Sequence, residues 1–213
     1  MNRSCYSCLL VAIAAMNALP TLAEEVPVTP PPPATLLEAI KAGKPMTSFR
    51  LRYENVDQDG KSDNANAGTL RSLIGWQTAP FNNFSFAAQL INVSKFDDNY
   101  YTGFQTARGH ATPPDKTNYP VVADPNDTDI NQLFVDWTGI RDTKVRFGRQ
   151  SVKLDNVRFI GNVEFRQVMQ VFDGIAVENK SLPNTEFYFA YFDKLKQVST
   201  IQRNGNISIV HGA

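Results

Sequence analysis

The sequence predicts an all-β protein, an antiparallel transmembrane β-barrel to which this chain contributes about seven or eight strands. Three observations predict this fold. From residue 46 onward, β-rich runs alternate between apolar and polar side chains. The connections between the runs alternate between long and short, as in barrels with long external loops and short periplasmic turns. The runs are also long enough to cross a bilayer when tilted.

Composition excludes several other classes of protein. Hydrophobic residues make up 42% of the 213 residues and aromatic residues 11%, which is too much for a disordered chain. The formal net charge of +0 provides no overall basic field for nucleic acid. With 2 His and 2 Cys, the chain has little material for a zinc site or a nucleophilic triad, so we expect neither metal nor cofactor.

Residues 1–23 are predicted to be a secretory signal peptide. Arg3 supplies the positive charge, residues 9–16 form a short apolar region, and a small-residue cleavage site follows. An uncleaved anchor is the alternative. Cys5 and Cys8 both lie in the part that would be removed, so the mature chain would contain no disulfide.

Residues 24–45 are predicted to be a proline-rich tether followed by a short helix. Thr35 and Glu38 have the spacing of a capping box, and Gly43 and Pro45 end the helix. The helix carries an apolar stripe of Leu36, Leu37 and Ile40. Two positions are open for it: the surface at the entrance of the main domain, or a site docked against or inside that domain.

Residues 46–213 are predicted to form the barrel domain. We expect strands near 47–56, 67–78, 83–94, 130–138, 143–151, 171–178 and 185–196, with a possible eighth at 206–213. The first, third and fifth connections are long, and the second, fourth and sixth are short. A first strand that starts in the periplasm runs outward, so the long connections would all be external.

Alternation along the strands predicts two chemically distinct faces. We expect hydrocarbon to contact the apolar face, which includes Phe49, Leu51, Tyr53, Ile74, Phe86, Leu90, Leu133, Val145 and Phe147. An aromatic girdle of Trp76, Phe81, Phe84 and Trp137 lies near the short turns. A half-buried sheet of a soluble domain alternates in the same way and is the alternative. The run 186–192 is apolar on both faces.

The opposite face is predicted to be the wall of a pore. It carries Arg50, Arg52, Arg71, Lys144 and Arg146, with Glu54 and Asp136 as available acidic partners. A cation in mid-bilayer costs about 2–4 kcal/mol, so these side chains must face water or acids. Rings of Arg and Lys favour anions. A solvated sheet face in a soluble protein is again the alternative.

Three segments, together with the short run DINQ at 129–132, resemble the alginate-export family of outer-membrane porins. The segments are FRLRYENVDQDG at 49–60, LRSLIGWQT at 70–78 and FGRQSVKLDNVRFIGNVEFRQVMQVFDGI at 147–175. The matching parts of the third segment are Gly148-Arg149-Gln150, Leu154-Asp155-Asn156, Arg158 to Asn162, Arg166-Gln167 and Phe172-Asp173-Gly174. The order and spacing of these parts, more than any single tripeptide, carry the resemblance.

The resemblance implies a monomeric barrel in the bacterial outer membrane, of about 16 to 18 strands. The chain would then be the N-terminal portion of a longer porin, and a small eight-stranded barrel is the alternative. It implies a passive conduit for an anionic solute or an acidic polysaccharide, surrounded by outer-membrane lipid and lipopolysaccharide. Arg149, Arg158 and Arg166 become candidates for the constriction. Arg149, however, has the same strand parity as Phe147, so its side chain would lie on the lipid-facing side, in the zone of the headgroups.

Two other functions compete with a channel. A soluble periplasmic β-sandwich could bind carbohydrate by stacking sugars on Tyr100, Tyr101 and Phe104. An enzyme is not expected, because no G-x-S-x-G motif occurs and His110 and His211 lack a catalytic context. Nor is a nucleic-acid partner expected, for the reasons of charge given above.

Overall fold

A single antiparallel sheet of nine strands accounts for most of the described chain. The structure is a computed structural model, and it describes residues 31–103 and 114–213. The predicted signal peptide and Phe104 lie outside the described residues. The helices are α1 (Leu36–Lys41) and a 3₁₀ helix (Pro114–Asn118). The strands are β1 (Lys44–Pro45), β2 (Ser48–Val56), β3 (Ala65–Gln77), β4 (Phe84–Asn99), β5 (Asp127–Trp137), β6 (Thr143–Gln150), β7 (Val171–Asn179), β8 (Phe187–Lys196) and β9 (Gln202–Gly212).

The sheet follows the order of the chain. From β3 to β9 each strand pairs antiparallel with the next, while β1 and β2 both pair with β3 along one edge. Within the part of the chain that the structure describes, the sheet is not closed, so β2 and β9 each have one unpaired edge. The described helices include none that is long and apolar enough to span a membrane.

The seven predicted strands and the possible eighth are confirmed, with ends that differ by a few residues. The two-residue strand β1 was not predicted, because its pairing with Trp76 and Gln77 is too short to show a periodicity. The long connections 57–64, 100–126 and 151–170 share one end of the sheet, opposite the short ones. The connection 197–201 also lies at the long-loop end but is short.

The two faces of the sheet differ in exposure as predicted. In β4, exposed side chains alternate with buried ones from Phe84 to Val93; Phe86 is 57% exposed and Ala87 only 3%. Phe49 and Leu51 are 65% and 70% exposed. A β-sandwich would cover these apolar residues with a second sheet, but the described residues form one sheet only. The sandwich interpretation is therefore wrong, and the exposed apolar face is the outer face of a barrel wall.

The inner face is covered by residues 151–170, which we call the inner loop. Val168 and Met169 of this loop form a buried cluster with Leu73, Ile91 and Val93 of the sheet. The loop therefore leaves β6, folds back over the inner face and returns to β7. Val168 and Met169 are buried there, away from both water and lipid.

The inner loop also explains why residues 186–192 are apolar on both faces. Phe189 and Tyr191 point outward and are exposed, whereas Phe192 is fully buried. Phe192 packs against Phe172, with ring centroids 5.1 Å apart, in a cluster that includes Val152 of the inner loop. The inward side chains of β8 thus face protein rather than an aqueous lumen.

Helix α1 is docked on the sheet near the short turns. The Thr35 side chain accepts a hydrogen bond from Glu38 N at 3.2 Å, as the predicted cap requires, and Glu38 Oε2 accepts one from Ala34 N at 2.8 Å. Ala39 is fully buried, and its carbonyl accepts a hydrogen bond from Ala79 N at 2.9 Å. The docked position is the second of the two that the sequence left open.

Gly148 of β6 is a position that requires glycine, because the neighbouring strand leaves no space for a side chain. Gly148 has φ +122°, and a Cβ added there would lie 2.3 Å from the carbonyl oxygen of Leu133. Gly148→Val should therefore lower the free energy of unfolding by about 3 kcal/mol. Gly205→Val in β9 is the matched control, because nothing lies within 4 Å of a Cβ at that position. Urea titration of the heat-sensitive gel mobility of both variants measures the difference, and equal stabilities would contradict this prediction.

Candidate functional site

Five of the predicted pore-wall cations lie on the inner face, because the register of the strands sets their direction. Arg50 is directly opposite Arg71 across the β2–β3 pair, next to the outward pair Leu51 and Leu70. Two like charges directly opposite each other are unfavourable unless counter-charges or acceptors surround them. The partners of these arginines therefore decide what the site can do.

Arg50 binds the backbone of the inner loop. Its Nη1 donates to the Glu164 carbonyl at 2.7 Å, and its Nη2 donates to the Arg166 carbonyl. Its Nε donates to Gln167 Oε1 at 2.9 Å. The guanidinium group thus satisfies carbonyl oxygens that the folded-in loop would otherwise leave without a partner. In this structure Arg50 attaches the loop to the wall.

Arg52 and Arg166 flank two acidic side chains. Arg52 Nη1 donates to the Phe165 carbonyl at 2.8 Å and lies 3.5 Å from Asp124 Oδ2, while its Nη2 pairs with Glu54. Arg166 Nη1 is 3.5 Å from Glu54 and 3.9 Å from Asp124. The four side chains form a locally neutral cluster, so neither arginine is a free positive charge.

Gln167 is the residue that seats the inner loop on the sheet. It is fully buried, and its Nε2 donates to Thr69 Oγ1 at 2.7 Å. Its backbone N–H donates to Asp124 Oδ1 at 2.8 Å. In the sequence, Gln167 was noticeable only as part of the Arg166-Gln167 match to the family; the signal available for its seating role was its place directly before the apolar pair Val168-Met169.

Nearer the short turns, the inner cations are ion-paired. Arg146 makes two hydrogen bonds to Asp136, at 2.6 and 2.8 Å, and stacks 3.7 Å above the centre of the Phe134 ring. Lys144 Nζ lies 2.7 Å from Glu178. Asp136 and Glu54 are thus paired with inner cations, in the way that the sequence suggested.

Arg149 does not share the inner face. It lies in register with Leu133 and Asp173 and lines an outer depression together with Phe86 and Phe147. Its Nε and Nη2 donate to the two oxygens of Asp173 at 2.7 and 2.8 Å. Assigning Arg149 to the constriction was therefore wrong, and its strand parity gave the correct direction. Arg149 lies near the long-loop end of β6.

Arg158 lies at the tip of the inner loop. It is exposed, beside Phe159, whose exposure is 90%. Among the described residues its guanidinium group has no hydrogen-bond or ion-pair partner. Arg158 is thus a free cation, separate from the cluster around Arg50.

Arg71 is different from all of these cations. Its side chain is 4% exposed, yet its Nε and Nη1 have no hydrogen-bond partner among the described residues. A buried, unpaired donor costs about 1–3 kcal/mol, and more when it is charged. Glu164 is the acid that influences Arg71 electrostatically, but a hydrogen bond from Lys153 engages its carboxyl group and holds its pKa below the usual value. Arg71 is therefore a buried inner cation without a hydrogen-bonded acid, so it is the charge of Arg71, rather than its donors, that can act on the passage.

The sequence model of the alginate export family matches residues 47–192, more than half of the chain. The chain belongs to the alginate export family. The resemblance noted in the sequence is thus confirmed. No curated protein sequence matches the chain.

Solved porin structures show the same fold as this member of the alginate export family. Pseudomonas aeruginosa OccK9 (OpdG) matches with a TM-score of 0.55 and 12% identity over 78% of this chain and 41% of its own. P. aeruginosa OccK8 (OprE) has a TM-score of 0.55, 15% identity, and coverage of 78% and 37%. Acinetobacter baumannii OccAB3 also has a TM-score of 0.55, with 15% identity and coverage of 78% and 40%.

The chain therefore spans about two fifths of the length of the porins that it resembles. The family and these porins are proteins of the bacterial outer membrane, which places this chain there as predicted. That location agrees with the exposed apolar face. Among the described residues, no cluster of His, Cys, Asp and Glu could hold a metal ion.

Replacing Arg50 should release the inner loop. Arg50→Gln removes the hydrogen bonds to the carbonyls of residues 164, 165 and 166 and should lower the free energy of loop opening by about 2 kcal/mol, roughly a 30-fold loss of amide protection. Hydrogen exchange across the inner loop, followed by mass spectrometry, measures this loss. Arg203→Gln removes an exposed arginine of β9 and is the control. Unchanged exchange in Arg50→Gln would contradict the assigned role.

Proposed function

We propose that this chain forms part of the wall of a passive outer-membrane channel for anionic solutes. The inner face lines the passage, the inner loop narrows it, and the outer apolar face contacts lipid. An acidic polysaccharide is the solute that the family name suggests, and smaller carboxylates share its charge and chemistry. The channel acts as a monomer without catalysis, and lipopolysaccharide surrounds its external end.

The observation that carries this proposal is the unpaired guanidinium group of Arg71. It lies in β3, opposite Arg50, and because its Nε and Nη1 are buried, its charge would act on a solute through the electric field of the wall rather than by contact. Most other cations of the inner face are paired with acids and are locally neutral: Arg52, Lys144, Arg146 and Arg166. The unbalanced positive charge of the wall is then that of Arg50 and Arg71, and selectivity would depend mainly on these two residues.

The inner loop supports the proposal by placing material inside the barrel. Its segment 164–167 lies against Arg50 and Arg52 on the inner face, so the narrowest part of the passage would be at this level. We propose that the unpaired edges of β2 and β9 pair with further strands, since unpaired backbone groups are too costly in hydrocarbon. Those strands would supply the rest of the wall.

Removal of the Arg71 charge should reduce the preference for anions. Arg71→Met should weaken the attraction of an anion in the passage by about 1 kcal/mol, which is roughly a fivefold loss of occupancy. The measurement is the reversal potential of the channel in a planar bilayer under a potassium chloride gradient. Arg141 lies in a short turn, and its side chain is 94% exposed. Arg141→Gln removes the same charge there and should leave the reversal potential unchanged. An equal potential in wild type and Arg71→Met would contradict the proposal.

Releasing a paired cation should have the opposite effect. Asp136→Asn removes the negative charge that neutralises Arg146 while keeping a hydrogen-bond acceptor in place. The reversal potential should therefore shift toward stronger anion selectivity. Because a broken buried pair is also destabilising, by about 3–5 kcal/mol, folded protein must first be selected by its heat-sensitive gel mobility. A shift toward cations in the folded variant would show that Arg146 does not contribute to the field of the passage.

A further inference from the structure

Helix α1 exposes an apolar stripe that has no partner within the described chain. Leu36, Leu37 and Ile40 are 56%, 61% and 45% exposed. Leu36 and Ile40 are one helical turn apart, and Leu37 adjoins them, so the three side chains share one side of the helix. The docked side is a different one, occupied by the fully buried Ala39.

The helix is fixed beside the lipid-facing surface of the sheet. Trp76 has the outward parity of β3, in register with the exposed Ala88, and its Nε1 donates to the Ile40 carbonyl at 2.9 Å. Gly43 lies against the same indole, since a Cβ there would be 2.3 Å from Trp76 Nε1. The end of α1 thus contacts a residue of the outer apolar face, at the level of the short turns.

The charges of α1 suit a membrane surface. Lys41 and Lys44 are exposed at the end of the helix and just beyond it. The single acidic residue of the helix, Glu38, is engaged by Ala34 N. An apolar stripe beside lysines is the chemistry of a helix that lies in the plane of a membrane interface. Tryptophan residues are enriched at this membrane interface, where the polar edge of the indole lies near the headgroups.

We propose that α1 is an interfacial anchor whose Leu36, Leu37 and Ile40 insert into the periplasmic leaflet of the outer membrane. The partner is a phospholipid surface, with Lys41 and Lys44 near the phosphates. The apolar stripe continues the lipid-contacting face beyond the short turns. This role does not depend on what passes through the channel, so failure of the transport proposal would leave it intact.

Fluorescence quenching tests the anchor directly. The full chain, with its two native cysteines replaced by serine, receives the fluorophore NBD at Leu37→Cys and is reconstituted into phosphatidylethanolamine–phosphatidylglycerol vesicles. Nitroxide-labelled lipids should quench this label and shift its emission to shorter wavelength, while aqueous iodide should quench it poorly. Glu38→Cys, on the neighbouring polar side of the helix, should show the reverse.

Two reference positions calibrate the result. Phe49→Cys reports hydrocarbon contact on β2, and Asp59→Cys, at an exposed position, reports water in the first long connection. A Leu37 label quenched by iodide as strongly as the Asp59 label would overturn the anchor. So would a label shielded from both quenchers, because the stripe would then be covered by protein, either a second copy or another region of the chain. Gel mobility confirms that each variant is folded before it is compared.

Discussion

Hydrocarbon offers no hydrogen-bond partners, and this constraint organises the whole structure. Each backbone N–H and C=O of a membrane-spanning strand must be paired within the protein, which the antiparallel ladder from β3 to β9 achieves. Every second side chain then faces lipid and must be apolar. The polar and charged residues are forced to the other face, where they must find partners among themselves or in water.

The inner loop and the arginines of β2 depend on each other for the same reason. A loop folded inside a barrel brings carbonyl groups that have no strand to pair with, and an arginine inside a barrel brings donors that need acceptors. Arg50 and Arg52 meet both requirements by binding the carbonyls of residues 164–166. A residue type that suggested solute binding thus serves mainly to hold the loop. The exception is Arg71, which lies within the same wall but keeps unpaired donors.

The strands and the direction of their side chains could be predicted because they depend on local, period-two patterning. Phe49, Phe86 and Phe147 are exposed on the outer face as expected, and the parity of Arg149 alone was sufficient to place it outside the lumen. A register shift between Gln89 and Leu90 leaves this alternation intact in β4.

The path of the inner loop could not be predicted, because it depends on contacts between residues more than a hundred positions apart, such as Arg50 and Gln167. The same holds for the partners of the cations: composition gives their number but not which acid each one meets. Tyr100 is another residue whose environment could not be predicted from the sequence. As an aromatic residue in a long connection it suggested sugar stacking, yet it is fully buried with its hydroxyl donating to the Asp124 carbonyl at 2.5 Å.

The most direct test of the account is to ask which side chains of β4 touch lipid. Nitroxide side chains are placed one at a time from Phe84 to Ile91 in the membrane-embedded protein, and their collision rates with oxygen and with a water-soluble nickel complex are compared. The account predicts a period of two, with Phe86, Ala88 and Leu90 accessible to oxygen dissolved in lipid and Ala87, Gln89 and Ile91 shielded from it. Uniform accessibility, or high access to lipid at Ala87 and Ile91, would contradict the assignment of the outer face.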